Sequence, residues 1–599
     1  MRDPESILHE VFGFAGFRPG QEEIVRAVLR GEDVLAVMPT GGGKSLCYQL
    51  PALARGGLTV VVSPLIALMR DQVAALRAYG VEAGALNSAN EPEENERISD
   101  ALNDGSLRLL YVSPERLAGP GTQARLAKCG VGLLAIDEAH CVSEWGHDFR
   151  PEYAALGDAR TAIEANQVMA LTATADAATR DDVAAKLFSR PPKIFVQGFD
   201  RPNLRLAMSP KQNATKQILD LAGRHRGESG IVYCSSRKQT ETIAEALRGA
   251  GVRALPYHAG LDAAERSENQ DAFVREDAVV MAATVAFGMG VDKPDVRFVA
   301  HAALPKTIEA YYQEIGRAGR DGLPADTLTL YGWGDIKLRQ NQVDESGASE
   351  DKKRLERQKL NALLALAEAP ECRRQTLLAY FGDTLEEPCG HCDLCESEAG
   401  SFDGTIEAQK ILSAIYRTGQ RFGAAHIADV LTGKDTDAAR RWNHDAIPTF
   451  GAGSDRPKTQ WMGLIRQVYA AGLAEMDIGE YGGLRLTVKG AAVLRGERTV
   501  RLREERLRAK PARQRTASAA SPELSSRDGE LFEALRGLRA ELARDANVPA
   551  YVVFADRTLI EMAAERPSSL AAMGRIHGVG GKKLERYGAA FLEVIDAAG

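Results

Sequence analysis

Between Val34 and Leu330 one pattern recurs: a short run of Val, Ile, Leu and Ala, then a loop, then apolar residues at helical spacing. Val34–Met38, Leu58–Val62, Leu107–Val112, Val131–Ile136 and Val168–Leu171 form a first series. Gly230–Cys234, Ala254–Tyr257, Ala278–Ala283, Val296–Ala300 and Thr327–Tyr331 form a second. A strand apolar on both sides must be covered on both, and strands joined through helices run parallel. The chain is thus predicted to be multidomain α/β, each series a parallel sheet between two helical layers. The seam falls near 198–203, where Asp200, Arg201, Pro202 and Asn203 interrupt the periodicity.

At roughly 100–200 residues per domain, 599 residues leave room for further cores. Beyond Asp335 the pattern turns helical and reaches Cys372, Cys389, Cys392 and Cys395, the last three at two consecutive C-x2-C spacings. Four thiolates suit a closed tetrahedral Zn²⁺ site with a structural role, redox chemistry being the lesser alternative. His391 reads as a bystander, and Cys47, Cys129, Cys141 and Cys234, in apolar contexts, as inert. Short amphipathic helices such as Ala408–Arg417 and Trp461–Ala470, followed by a hairpin over 474–488, predict a winged helix. Arg501 to Arg515 holds seven basic and two acidic residues and opens a flexible tether before a last helical domain. The predicted boundaries are 1–199 and 200–334 for the α/β domains, 335–400 for the zinc domain, 401–500 for the winged helix, 501–526 for the linker and 527–599 for the small all-α domain.

A net charge of −7 excludes a uniformly basic coat protein but leaves local basic patches open. Met1–Glu10 carries Asp3, Glu5 and Glu10 and lacks the apolar core of an export signal, and no run of about 18 uncharged apolar residues occurs. The expectation is a soluble, cytoplasmic protein with no membrane partner.

Met38-Pro39-Thr40-Gly41-Gly42-Gly43-Lys44-Ser45 follows an apolar strand and precedes a helical run from Leu46 to Ala54. Consecutive glycines let peptide N–H groups close on phosphate oxygens, with Lys44 reaching the β/γ-phosphates and Ser45 ligating Mg²⁺. Met38 stands where the usual first glycine would be. Leu133–Ile136 then ends in Asp137-Glu138-Ala139-His140, which puts two carboxylates at the edge of the sheet where ligands bind. Asp137 is expected to hold Mg²⁺ and Glu138 to orient or deprotonate the attacking water. Hydrolysis also needs positive charge at the γ-phosphate. Arg317 and Arg320, three apart on a predicted helical face, supply it from the second α/β domain, Arg320 as the finger, with Gln313 as a nucleotide sensor.

These segments resemble the superfamily 2 helicases, and three others narrow the resemblance to the RecQ family of DNA helicases: Phe17-Arg18-Pro19-Gly20-Gln21, Ser143 to Pro151 (SEWGHDFRP), and Ala286-Phe287-Gly288-Met289-Gly290. The resemblance covers nearly the whole chain. It implies two RecA-like domains, then zinc, winged-helix and HRDC-like parts. It also implies an ATP-dependent 3′ to 5′ DNA helicase of repair and recombination, using ATP, Mg²⁺ and Zn²⁺. Its partners would be single-stranded and partly duplex DNA, with single-strand-binding protein beside them. On the same resemblance Arg18 and Gln21 read adenine, Phe14 stacks on the base, and Thr172-Ala173-Thr174 couple hydrolysis to domain movement.

Trp145, His147, Phe149 and Arg150 interleave aromatic and basic side chains in a polar segment, as a single-strand stacking platform requires. Burial of Trp145 in a domain interface is the competing reading. Glu144 departs from the Gln of many relatives and adds a negative charge beside the DNA. Arg441, Trp442, His444, Arg456, Lys458 and Arg466 are candidate phosphate contacts of the winged helix, with Tyr481 at the tip of the hairpin. Tyr551, Lys582 and Lys583, beside the glycines of 578–581, are candidate DNA contacts of the last domain. A non-catalytic DNA-binding protein with the same fold and an RNA helicase are the rival readings; DNA-stimulated ATP hydrolysis, compared with RNA, separates them.

Overall fold

The computed structural model describes residues 2–87, 90–143, 149–285, 287, 292–397, 400–476, 483–504, 526–546 and 548–598. Its first sheet has seven parallel strands: β1 (Val34–Val37), β2 (Leu58–Val62), β3 (Ala83–Leu86), β4 (Leu109–Val112), β5 (Val131–Ile136), β6 (Val168–Thr172) and β7 (Lys193–Val196). They lie in the order β3-β4-β2-β5-β6-β1-β7. The adjacent strands β5, β6 and β1 therefore deliver Asp137, Thr172 and the phosphate loop side by side at one sheet edge. The second sheet is β8 (Leu204–Pro210), β9 (Ser229–Tyr233), β10 (Ala254–Tyr257), β11 (Val280–Ala283), β12 (Val296–His301) and β13 (Ala325–Tyr331), ordered β10-β11-β9-β12-β13-β8.

Three strands escaped the sequence pattern, each for a physical reason. β3, Ala-Gly-Ala-Leu, is an edge strand of small residues. β7 is the opposite edge and leaves Ile194 and Val196 exposed, so it lacks the continuous burial of its neighbours. β8 begins at the predicted seam itself, immediately after Asn203.

Helices Trp333–Asp344, Glu350–Ala367 and Arg373–Tyr380 follow the second sheet. Strand β14 (Ser401–Asp403) comes next, then helices Thr405–Arg417, Ala424–Thr432 and Lys458–Ala470 and an antiparallel pair, β15 (Ala474–Met476) with β16 (Leu484–Leu486). The hairpin tip with Tyr481 lies outside the described residues. The predicted linker starts too early: Arg501–Arg503 is a strand, β17, paired antiparallel with β14. Its charged sequence concealed it, because Leu502 is buried and Arg503 is buried against Glu368.

The two faces of the first sheet pack separate cores, one around Val34, Ala36 and Met169, the other around Leu35 and Leu134. On one face of the second sheet a single apolar core continues from Leu206 and Met281 through Leu364 and Cys392 to Ile411 and Trp461. The last domain, led by helices Ser526–Asp545 and Gly581–Ala597, has its own core around Phe554 and Phe591.

Candidate functional site: a cleft closed by three domains

The phosphate loop needs its glycines. Gly41 and Gly43 sit at φ of +79°, and a Cβ on Gly42 would lie 2.9 Å from the Pro39 carbonyl. Met38 fits in place of glycine because it is buried and its N–H donates to the Thr172 carbonyl at 3.0 Å, continuing the sheet instead of turning. Ser45 stands just before the helix Leu46–Arg55 without a side-chain hydrogen bond to its first turn, and Lys44 Nζ donates to the Met38 carbonyl at 3.5 Å. Burial pulls the Lys44 ammonium below its ordinary value, against the carboxylates of Glu138 and Asp137.

Asp137 follows β5, with its N–H on the Val62 carbonyl at 2.9 Å and its carbonyl accepting from Tyr153 at 3.0 Å. Burial, with Glu138 beside it, raises its carboxyl to about 7, and Lys44 opposes the shift. Glu138 takes a left-handed backbone at φ 49°, uncommon for a side chain of this size, and its buried Oε2 makes no hydrogen bond among the described residues but lies 3.4 Å from His140 Nδ1. Two crowded carboxylates and the Ser45 hydroxyl lining the same cavity make a hard-oxygen set that fits Mg²⁺. His140 Nδ1 meets Thr172 Oγ1 at 2.8 Å, and Thr172 Oγ1 donates to the Thr174 carbonyl at 3.2 Å, which ties the carboxylate segment to 172–174.

Arg317 and Arg320 do not share a helical face. The helix ends at Ile315, and both arginines lie in the turns that follow, which Gly319 permits at φ 55°. Both reach the cleft, as does Gln313. Arg320 is paired with Asp292, whose other oxygen accepts from Gln72 of the first domain at 3.0 Å. Asp292 went unread in the sequence because it falls just beyond the glycine-rich segment at 288–290, although a carboxylate leaving such a loop between two strands was the available signal. Asp71, next to Gln72, is raised to about 7 by burial and by the like charges of Asp292 and Asp271.

Arg18 and Gln21 brace the phosphate loop. Arg18 donates to the Gly41 carbonyl, and Gln21 Nε2 donates to the carbonyls of Gly42 at 3.2 Å and Gly43 at 3.1 Å. The Phe14 ring packs on His577 with centroids 5.5 Å apart.

His577 belongs to the last domain, which forms one wall of the cleft. A cavity of about 370 Å³ is lined by Thr40, Lys44, Asp137, Arg317, Arg320, Tyr551, Arg557, His577 and Lys583 among others. The backbones meet at glycines: Gly578 N–H donates to the Gly13 carbonyl at 2.9 Å, and a Cβ on Gly580 would lie 2.6 Å from the Val11 carbonyl. Lys583 is buried, its ammonium 4.6 Å from the Tyr79 ring centre. On the other side Arg536 and Arg539 each donate to Asp277 of the second domain at 3.1 Å. Tyr551 and Lys583, expected on a DNA-facing surface, are therefore wall residues of the cleft in this arrangement, and only Lys582 stays exposed, 2.9 Å from Glu585. The sequence held no signal for this docking, since glycines that admit a backbone read like any turn.

Trp145 and His147 lie outside the described residues. Phe149 is half-buried, and Arg150 donates to the Pro64 carbonyl at 3.4 Å. In the winged helix, Arg466 is no phosphate contact: it is buried against Glu368 at 2.7 Å. Lys458 and Arg456 pair with Asp429 at 2.6 Å and Glu407 at 3.1 Å, while Trp442 is exposed with Arg421 stacked 4.3 Å from its ring centre.

The sulfurs of Cys372, Cys389, Cys392 and Cys395 lie within 4.8 Å of one another. A tetrahedron of thiolates at about 2.3 Å from Zn²⁺ has edges of about 3.8 Å, so the set fits that ion. His391 turns its Nδ1 to the Cys389 carbonyl at 2.9 Å and its Nε2 to Arg374 at 3.0 Å, away from the sulfurs.

Residues 18–183 match the family described as DEAD/DEAH box helicase, and 210–322 the helicase conserved C-terminal domain. Residues 333–396 match RecQ zinc-binding, 398–511 the RQC domain, and 528–595 the HRDC domain. The chain is 43% identical over 593 residues to an ATP-dependent DNA helicase RecQ of Pasteurella multocida (strain Pm70), covering 98% of this chain and 93% of that protein. It is 38% identical to the protein of that name from Bacillus subtilis (strain 168), covering 99% and 98%.

Proposed function

From the membership of this chain in the RecQ family of ATP-dependent DNA helicases, we propose that it tracks along single-stranded DNA from 3′ to 5′ and separates the duplex ahead of it in DNA repair and recombination. Hydrolysis of ATP drives the unwinding, and no described helix is long and apolar enough to cross a membrane. The reading of the site rests above all on one juxtaposition: Arg317 and Arg320 of the second domain line the same cavity as Lys44, Asp137 and Glu138 of the first.

Lys44 and the peptide N–H groups of 41–45 hold the phosphates, and Glu138 orients the attacking water and takes its proton. Ser45 and Asp137 would hold Mg²⁺, which when bound would supply positive charge against the phosphates. Arg320 leaves Asp292 for the γ-phosphate, Arg317 makes the second contact, and Gln313 reports occupancy. Phe14, Arg18 and Gln21 face adenine once the hydrogen bonds that Arg18 and Gln21 make to the loop rearrange. Bases stack on Trp145 and Phe149, beside His147 and Arg150, and this segment, a few residues after Glu138, makes hydrolysis depend on DNA. Lys582 and Lys583 add phosphate contacts, Lys583 only when the last domain swings off the cleft. Zn²⁺ on the four cysteines fixes the helical domain. Single-strand-binding protein and other repair proteins, at the nucleoid, complete the setting.

Strand displacement with 3′-tailed, 5′-tailed and blunt duplexes tests activity and polarity together. Unwinding of the 3′-tailed duplex alone is expected; equal unwinding of the 5′-tailed one refutes the polarity. For Trp145→Ala, ATPase measured against single-strand concentration should stay near its DNA-free rate. A wild-type plateau with only a shifted midpoint would reduce Trp145 to a binding residue.

A further inference from the structure

Arg201 entered the sequence reading only as an interruption of the pattern at the seam. In the structure its guanidinium donates to four peptide carbonyls. Nη1 reaches the Thr40 carbonyl in the phosphate loop and that of Gly316 at 3.2 Å; Nη2 reaches Ala318 at 3.0 Å and Gly319 at 2.9 Å. One acceptor belongs to the first domain. The other three bracket Arg317 and end one residue before Arg320. The neighbouring carboxylate, Asp200, is engaged with Arg374 at 2.5 Å, so the acceptors of Arg201 are carbonyls and not a counter-ion. Burial lowers the guanidinium to about 10, and Arg320 and Arg18 push the same way.

The surfaces that Arg201 joins are in direct contact. A Cβ on Gly316 would lie 2.9 Å from Thr40 Cβ, and one on Gly41 would lie 3.0 Å from Arg201 Nη1 and 3.4 Å from Arg320 Cγ. The turn carrying the arginines is also held within its own domain, by Asn203 Nδ2 donating to Gly319 at 2.9 Å and Leu323 at 2.8 Å. A rigid planar fork holds five donors in fixed directions, whereas the lysine ammonium offers three from one atom on a flexible stem and cannot span the same four carbonyls.

We propose that Arg201 is a positioning residue that clasps the arginine-bearing turn of the second domain to the phosphate loop of the first, setting the reach of Arg317 and Arg320 to a bound γ-phosphate. This rests on the reading of those two arginines as γ-phosphate contacts. A misplacement of about 1 Å can cost about a hundredfold in rate. An interaction that sets transition-state geometry lowers kcat without a matching change in KM.

The test is steady-state ATP hydrolysis by the full chain at saturating single-stranded DNA, for Arg201→Ala, Arg201→Lys, Asn203→Ala and Arg320→Ala. Arg201→Ala should lose about ten- to a hundredfold in kcat, with KM for ATP within about threefold of wild type. Arg201→Lys should fall between, and Asn203→Ala, which leaves the link to Thr40 intact, should lose clearly less than Arg201→Ala. Unfolding midpoint and zinc content are measured on each; if Arg201→Ala does not fold, Arg201→Lys carries the test with the same criteria. Wild-type kcat in the Arg201 variants, a loss confined to KM, or an equal loss in Asn203→Ala overturns the clasp. Full hydrolysis in Arg320→Ala would instead overturn the arginine assignment beneath it, so the two failures are distinct.

Discussion

The two α/β domains share a parallel sheet but bury it differently. The first closes both faces with its own helices. On one face of the second, the core runs on through the zinc region into the winged helix, with Val37, Ala175 and Phe199 entering it from the first domain among the described residues. Buried ion pairs reinforce the continuity: Glu368 is held between Arg466 at 2.7 Å and Arg503 at 3.1 Å, joining the zinc region to the winged helix. The first domain is thus a self-contained holder of the phosphate loop, whereas the second shares one continuous core with the regions through Leu502. A small change at the arginines can be carried through that shared core as far as the winged helix.

The severest way to break this contrast is to remove the metal. Structural zinc contributes about 10–16 kcal/mol of apparent binding energy, comparable to the whole stability of a domain. Cys389→Ala should hold far less than one zinc per chain, and limited proteolysis should cut throughout 204–503 while 2–196 stays resistant. Equal loss of both bodies would show that the first domain depends on the second. Next comes Glu368→Gln, which strands two buried guanidinium groups at a cost of about 3–5 kcal/mol; chemical denaturation should show it in the second body only. Lys44→Ala tests the first body: hydrolysis should fall about a hundred- to a thousandfold with folding and DNA binding retained, measured by ATPase and fluorescence anisotropy.

A smaller effect is set by pH. His225 of the second domain meets Glu228 at 2.6 Å and Asp326 at 3.2 Å. Burial lowers its pKa, but the two carboxylates win and raise it from 6.5 to about 8. The folded state holds the proton more tightly, so this stabilisation is complete below pH 6.5 and is lost as pH rises through about 8. The difference is about 2 kcal/mol, and His225→Gln should remove that part of the fall in unfolding midpoint between pH 6 and 9. The mildest test is Gly580→Val, which wedges the last domain off Val11 and Gly13; hydrolysis should persist with ATP KM shifted a few-fold. An unchanged KM would show that the wall contributes nothing to nucleotide binding.

What the sequence disclosed follows from how local each feature is. Asp137 and Glu138 were legible because they follow a buried strand directly, Lys44 and Ser45 because a glycine run links a buried strand to them at the start of a helix, and the cysteines because three of the four lie within seven residues of one another. Arg201, Asp292 and Gln72 were not, because their meaning lies in carbonyls and partners brought together only when two sheets face each other. Arg466 and Arg503 were misread for the opposite reason: charge implies solvent in a sequence, and only the fold supplies a buried carboxylate such as Glu368. Tyr551 and Lys583 carried the right chemistry for a phosphate, but the face they present is set by glycines at 13 and 580.

The wall that the last domain adds to the cleft also has a consequence in time. During synthesis the phosphate loop emerges before the arginine turn after Ile315, and His577 and Lys583 later still. At about 5–20 residues per second, Tyr551 leaves the ribosome roughly half a minute to well over a minute after Ser45. A nascent chain therefore passes through a long interval with a folded phosphate loop in a half-built cleft, open to solvent on the side that Phe14 and Tyr79 will later present to His577 and Lys583.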